Sequence, residues 1–391
     1  MKLLYACANR ADDPHLWSGT VSNCRQALQD SGVELEIFDR IPFECPLPLR
    51  LLHQAHKRLG RKTHLLQIEP AVLRRAAARI AARFARGDCD AVFCPGTGVP
   101  VYSYLPASVP VFTYLDATKR TWIKNYFGLD SLCARSRRHV DEVDRVSLHQ
   151  NTCSFFSSDW AKAEAAHDYG VPAGRMAVVP FGANLAEAPA FAEVEGWIVA
   201  RRRDPLRLLF LGKEWHRKGG PDALALVRAL RGHGLAATLD IVGCNPPLGL
   251  ADRDLVRVHG FVDHSAPAGR KKFHDVLREA HVLLFLSSAE AYGIALCEAA
   301  AFGVPAYASR VGGIPTIVHH GVNGWLSDAP FSPEAAAETL AAAWRSPDEY
   351  RHIALAARAD YDSRLNWRVA GRSLRTHIEQ TLDRRTADAA L

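Results

Sequence analysis

The chain is 391 residues long, which at about 150 residues per domain corresponds to two or three domains. Hydrophobic residues at 48% and charged residues at 23% are ordinary for a globular protein and exclude a disordered or fibrous chain. The net charge is only +6, but Cys45 to Arg86 holds ten Lys and Arg against one acid, Glu69, so the rest of the chain is slightly acidic.

In chain order, an apolar strand over Lys2–Ala8 comes first, then a polar loop, Asn9–Thr20, and a helix over Val21–Asp30. The first strand runs directly into Asn9, Arg10, Asp12 and Asp13, without a secretory apolar region. No stretch approaches the roughly 18–20 apolar residues of a membrane-spanning helix. The expectation is a soluble cytoplasmic protein. Val72–Arg86 has the pattern of a helix with Leu73, Ala76, Ala77, Ile80 and Phe84 on one side, and Ala91–Cys94 and Val109–Leu115 read as strands.

Between Asn184 and Asp204, Ala, Pro and Glu replace the patterned segments and mark a boundary. A buried-strand run, Leu206–Leu211, then turns at Gly212 and passes through Lys218-Gly219-Gly220-Pro221 into a helix over Asp222–Leu230. Strands are predicted at Ala237–Val242, Val256–Val262, Val282–Leu286 and Val304–Ser309, with helices at Phe273–Ala280 and Ile294–Phe302. Ser363–Leu382 is again helical in pattern. This alternation predicts an α/β protein of two Rossmann-like lobes, residues 1–188 and 189–362. A terminal helix, 363–391, returns to the first lobe, and the parallel sheets face a central cleft. The nine cysteines include no Cys-x-x-Cys pair and read as free thiols.

The segment from Leu286 to Pro305 carries the most chemistry. A buried strand ends near Leu286, Glu290 and Tyr292-Gly293 make the turn, and a helix begins at Ile294. Between Glu290 and Arg310 the only formal charge is Glu298, and an acid among Ala and Leu is costly to bury unless donors satisfy it. The helix start leaves backbone N–H groups that suit an anion. A ligand with hydroxyls at both ends and phosphates between, the layout of a sugar nucleotide, satisfies all three features. A solvated helix acid and a loop acid is the plainer alternative. The turn Gly212-Lys213-Glu214-Trp215-His216-Arg217-Lys218-Gly219-Gly220 also follows a strand and precedes a helix. Lys213, Arg217 and Lys218 there can pair with a diphosphate, the alternative being a basic surface loop. Neither a P-loop nor a dinucleotide fingerprint is present in this turn.

Glu290 and Glu298 are separated by seven residues and followed by Ala299-Ala300-Ala301-Phe302-Gly303-Val304-Pro305 and Gly312-Gly313-Ile314-Pro315. This segment resembles the signature of retaining glycosyltransferases of family 4, which have the GT-B fold. Gly321-Val322-Asn323-Gly324-Trp325-Leu326 and Val178-Val179-Pro180-Phe181-Gly182-Ala183-Asn184 are similar to further family segments. The resemblance implies that Glu290 contacts the donor sugar, Glu298 binds the ribose hydroxyls, and Lys213 and Lys218 neutralise the diphosphate, with Arg217 sharing that role. It places backbone groups of Tyr292, Gly293 and Ile294 at sugar and phosphate, and Gly260 and Phe261 at the base. In the first lobe it sets Gly19 and Thr20 against donor phosphate and acceptor. Three positions depart from the family: Lys213 stands where arginine is usual, Asp116 where histidine is frequent, and Thr316 where glutamate is usual. Asp116 is still expected in the cleft.

The implied reaction is transfer of a hexose-type sugar from a nucleotide-diphosphate donor to a hydroxyl of a glycan, lipid or small molecule, with configuration retained. It requires no metal or other cofactor, and the sequence shows no Asp-x-Asp and no His/Cys ligand cluster in a suitable place. A sugar-nucleotide epimerase, a phosphorylase and a non-catalytic sugar-nucleotide-binding protein are the competing readings. The basic segment 45–86 is open to three readings: a solvated face, a docking surface for an anionic membrane centred on Arg74, Arg75, Arg79, Arg83 and Arg86, or a guide for an anionic acceptor. Nucleic acid is not an expected partner, because no aromatic-interleaved basic motif occurs.

Overall fold

The structure, a computed structural model, describes residues 1–60, 62–96, 100–263 and 266–389. Arg61 of the basic segment lies outside the described residues. The chain forms two compact units, Met1–Phe181 with Trp367–Leu391, and Gly182–Asn366. Residues 182–188 belong with the second unit: Ala183 N–H donates to the Leu365 carbonyl and the Asn184 N–H to the Glu298 carboxyl group.

The first unit holds strands β1 (Lys2–Ala6), β2 (Glu34–Phe38), β3 (Ala91–Pro95), β4 (Val111–Leu115), β5 (Cys153–Phe156) and β6 (Met176–Val178). They make one parallel sheet in the order β2-β1-β3-β4-β5-β6. β3, β4 and β5 are buried along their whole length, as parallel strands covered on both faces must be. β2 is an edge strand. Its Glu34 and Glu36, both ion-paired to Lys2, break the apolar run that would have announced it. The helix Trp367–Ala389 packs on the helix Thr20–Asp30. Gly371 makes the approach possible, since a Cβ there would overlap the Ala27 carbonyl oxygen.

The second unit holds β7 (Leu206–Leu211), β8 (Ala237–Val242), β9 (Val256–Gly260), β10 (Val282–Phe285), β11 (Ala306–Ser309) and β12 (Gly324–Ser327). This sheet is also wholly parallel, in the order β12-β11-β10-β7-β8-β9. Its core includes Leu208, Phe210, Leu239, Ile241, Val282 and Leu284. Five strands are shorter than their predicted runs: β1 ends at Ala6 and β10 at Phe285, and the other three have a local cause. β4 starts at Val111 and β11 at Ala306 because Pro110 and Pro305 carry no N–H for the ladder. β9 stops at Gly260, whose φ of +69° leaves the extended region.

In each sheet the order reverses once. From β7 the chain moves outward through β8 to β9, then returns at β10 on the other side of β7. The loops leaving the carboxyl ends of β7 and β10 therefore diverge from neighbouring strands, the position where open parallel sheets bind ligands. The nine cysteines are all free. Among the described residues, no helix is long and apolar enough to cross a membrane.

Candidate functional site

Glycines press the two diverging loops together. Gly219, at φ +75°, backs onto the end of β10, where a Cβ would overlap the Leu286 carbonyl. Ser288 N–H donates to the Arg217 carbonyl across the same seam at 2.9 Å. On the far side Gly312, at φ +54°, leaves room for the Glu290 carbonyl, which also accepts from Gly313 N–H at 3.3 Å. The glycine pair after β11 thus fixes the backbone of Glu290.

This scaffold brings Lys218 and Glu290 into an ion pair, the ammonium on Oε2. Their side chains are 16% and 10% exposed. Ser287 Oγ donates to the same carboxylate oxygen at 3.4 Å, and the Lys218 Nζ lies 4.6 Å from the Phe285 ring centroid. The arrangement is a half-buried cation held beside an acid, with a hydroxyl and an aromatic face completing its surroundings.

Arg217, expected to share the diphosphate, has its Nη1 3.9 Å from Glu290 Oε2 and also bridges the two loops. Its Nε and Nη2 donate to both oxygens of Glu214 at 3.0 and 2.7 Å, and its Nη1 donates to the Ala289 carbonyl at 2.9 Å. The bidentate bond holds the Glu214 carboxyl below its usual range. Arg217 therefore ties the β7 loop to the β10 loop. Lys213 is exposed, its Nζ 5.1 Å from the ring centroid of Phe261, which is itself 62% exposed. Gly260 turns the chain at the end of β9, and Gly243 N–H donates to its carbonyl at 2.8 Å.

Glu298 sits in the helix Ile294–Ala301, whose N-cap, Gly293, has φ +106°. A side chain at Gly293 would press on Leu296 and Phe285. Glu298 is buried, and burial pushes its carboxyl up to about 8, against the opposing effect of the Asn184 N–H. No cation pairs with it among the described residues, so it is a largely neutral acid at pH 7. Tyr292 is buried, with its hydroxyl 3.6 Å from Cys297 Sγ, so its backbone rather than its ring is what a ligand meets. Ile294 is half-buried at the helix start. The far end of the helix is pinned by the buried Arg358, which donates to the Ala301 carbonyl at 2.7 Å.

In the first unit, the loop after β1 ends in three consecutive left-handed residues, Trp17 (φ 50°), Ser18 (φ 56°) and Gly19 (φ 86°). Two non-glycine residues in that region store strain and require outside support. Trp17 provides it: Nε1 donates to Asp116 Oδ2 at 3.0 Å, and the indole meets Phe181 edge-on at 5.2 Å. Thr20 then opens the helix Thr20–Asp30, fully buried, with no hydrogen-bond partner on Oγ1 among the described residues. Asp116, Gly19 and Thr20 thus belong to one constellation. The sequence reading missed Trp17, although a Trp beside Ser-Gly in a strand-to-helix loop was its visible signal. It likewise missed Asn184 as the partner of Glu298. Among the described residues, no group of three or more His, Cys, Asp or Glu could hold a metal ion.

Two six-stranded parallel units of this kind define the GT-B class of α/β proteins. Residues 197–360, within the second unit, match the family model described as Glycosyl transferases group 1. A D-inositol 3-phosphate glycosyltransferase of Streptomyces griseus subsp. griseus is 29% identical over 266 residues, covering 62% of this chain and 52% of that protein. The chain spans about half the length of the curated relatives it matches. Among solved structures, sucrose-phosphate synthase from Thermosynechococcus elongatus superposes with a TM-score of 0.63 at 18% identity over 100% of both chains. Anabaena HepE in complex with UDP-glucose gives 0.57 at 17% identity, over 97% of this chain and 100% of that one.

Proposed function

We propose that the protein is a retaining glycosyltransferase that moves a sugar from a nucleoside diphosphate donor to an acceptor hydroxyl. The observation that carries the reading is the Lys218–Glu290 pair at the strand-order reversal of the unit that matches the glycosyltransferase group 1 model. A diphosphate arriving there meets the Lys218 ammonium, with Lys213 on the neighbouring loop free to swing from Phe261. Glu290 remains beside it to accept from sugar hydroxyls. Arg217 acts as a positioning residue. Glu298, largely neutral and buried, exchanges hydrogen bonds with the ribose hydroxyls, and the exposed Phe261 ring offers a face for the base. The Trp17–Asp116 pair with Gly19 and Thr20 serves the acceptor side.

In the reaction, the bond from the anomeric carbon to the diphosphate oxygen breaks and the bond to the acceptor oxygen forms on the same face. The acceptor proton passes to the departing phosphate. Lys218 and Lys213 stabilise the charge that grows on that phosphate, so the chain contributes positioning and electrostatics rather than a covalent nucleophile. The scheme uses no metal. Support for the donor class comes from HepE, solved with UDP-glucose, and for a polyol-type acceptor from the name of the inositol phosphate relatives.

The test incubates the full chain with UDP- and GDP-sugars, alone and with inositol phosphates, glycans and glycolipids, with and without chelator. Transfer with retained anomeric configuration in chelator is the expected result. Donor conversion without acceptor identifies an epimerase, and donor binding without turnover a non-catalytic protein; either overturns the reading.

A further inference from the structure

The basic segment 45–86 is not one surface. The helix Pro70–Phe84 buries Val72, Leu73, Ala76, Ala77 and Ile80, and its arginines are largely engaged. Arg79 pairs with Glu44, Arg83 with Glu36, and Arg74 lies 4.7 Å from the Tyr104 ring centroid. Two of the five arginines on which the membrane reading was centred, Arg79 and Arg83, are thus paired with carboxylates.

The helix Leu47–Leu59 has the opposite character. Its inward positions, Leu49, Leu52, His53 and His56, are half-buried at helical spacing. His56 stacks on the buried His64 at 5.3 Å and His53 meets the same ring at 5.5 Å. His64 is held by Glu69 at 2.7 Å, and Glu69 is gripped in turn by both arms of Arg135. With the inner face seated on this platform, the outer face is left in water. It carries Leu47 and Leu51, one turn apart and 65% and 62% exposed, with Phe43 at 37% in the preceding loop. Arg50, Lys57 and Arg58 flank them, exposed and in no ion pair among the described residues, and the helix contains no acid.

We propose that this face of the helix Leu47–Leu59 docks on a bilayer rich in anionic lipid. Leu47, Leu51 and Phe43 enter the boundary between headgroups and acyl chains, while Arg50, Lys57 and Arg58 face lipid phosphates. Charge complementarity selects this occupant: an exposed apolar stripe with three cations unpaired among the described residues and no acid on its helix has the composition of an interfacial helix. The inference goes beyond glycosyl transfer, and its test needs no donor or acceptor.

The full chain is sedimented with phosphatidylcholine vesicles, with and without about 30 mol% phosphatidylglycerol, at about 0.05 M and about 0.3 M salt. Expected is binding to the anionic vesicles at low salt, at least about tenfold weaker on pure phosphatidylcholine and in the Leu47→Gln/Leu51→Gln variant. The triple change of Arg50, Lys57 and Arg58 to Gln is expected to flatten the salt dependence. The Arg74→Gln/Arg75→Gln variant is expected to bind as wild type. Circular dichroism and melting confirm that each variant is folded. Absence of binding at low salt, or binding lost only in the Arg74/Arg75 variant, overturns the proposal. So does self-association in solution that the leucine changes abolish, since the face would then be covered by a second copy.

Discussion

Lys218 and Glu290, 72 residues apart in sequence, are joined by an ion pair at the point where the second sheet reverses its strand order. Lys218 closes the loop after β7 and Glu290 sits in the loop after β10, and these two strands are neighbours in the sheet. The pair holds a cation ready for a ligand's negative charge and gives the nearly buried Glu290 its nearest partner, ahead of Ser287 Oγ at 3.4 Å and Arg217 Nη1 at 3.9 Å.

Lys218→Met removes the nearer cation from Glu290 and leaves only the Arg217 Nη1 at 3.9 Å, and removing one partner of a buried pair costs about 3 kcal/mol or more. Urea melts are expected to show this loss for Lys218→Met and a smaller one for the Lys218→Met/Glu290→Gln double variant. Turnover is expected to fall by about 100-fold or more in either single variant, mainly in kcat. Independent, additive effects in the double-mutant cycle contradict the coupling.

Gly312 and Gly321 both have positive φ, yet only Gly312 faces a neighbour, the Glu290 carbonyl; a Cβ at Gly321 meets nothing within 4 Å. Gly321→Ala is therefore expected to cost about 1 kcal/mol of backbone strain and to leave turnover unchanged. Gly312→Ala must also displace Glu290, so it is expected to destabilise more and to lower turnover. Equal effects of the two substitutions would count against the role given to the glycine pair.

Glu298 has a folded-state value of about 8 against an ordinary 4.5. Its proton is held by the folded chain and lost by the unfolded one between those values. Its contribution to stability is thus complete below about pH 4.5, declines as pH rises to about 8, and then stays constant. Glu298→Gln is neutral throughout and removes this decline. The ligand-free variant is expected to melt above wild type at pH 8 and beyond, while nucleotide affinity, read by calorimetry, falls about tenfold or more. A wild-type melting profile with the same slope as the variant refutes the assignment.

Trp17→Phe keeps the edge contact with Phe181 and deletes the hydrogen bond to Asp116. A loss of about 1 kcal/mol in stability is expected. Under the proposed assignment, acceptor KM rises while donor KM stays constant. A change confined to donor KM would move this constellation to the other substrate.

Much of this was visible in the linear chain. Apolar runs such as residues 208–211 and Val282–Phe285 read as strands covered on both faces, and the helix stop at Gly303 and Pro305 is written in residues that do not favour continuing one. The spacing of Glu290 and Glu298, followed by the glycine pair Gly312-Gly313, marked the segment that matters. Elements carrying charge at alternate or irregular positions, such as β2 and the helix Ala134–Gln150, gave no periodic signal.

What the sequence determined by itself is the order of strands and helices and the residue types at the turns, because backbone preference and apolar periodicity are local properties. Partnership was decided in three dimensions. Only tertiary packing put Lys218 against Glu290, tied Arg217 to Glu214 and Ala289, set Asn184 beneath Glu298, and left Leu47 and Leu51 facing solvent. Burial and charge pairing depend on residues distant in sequence, and desolvation, which raises the Glu298 carboxyl, exists only once those residues have closed around it.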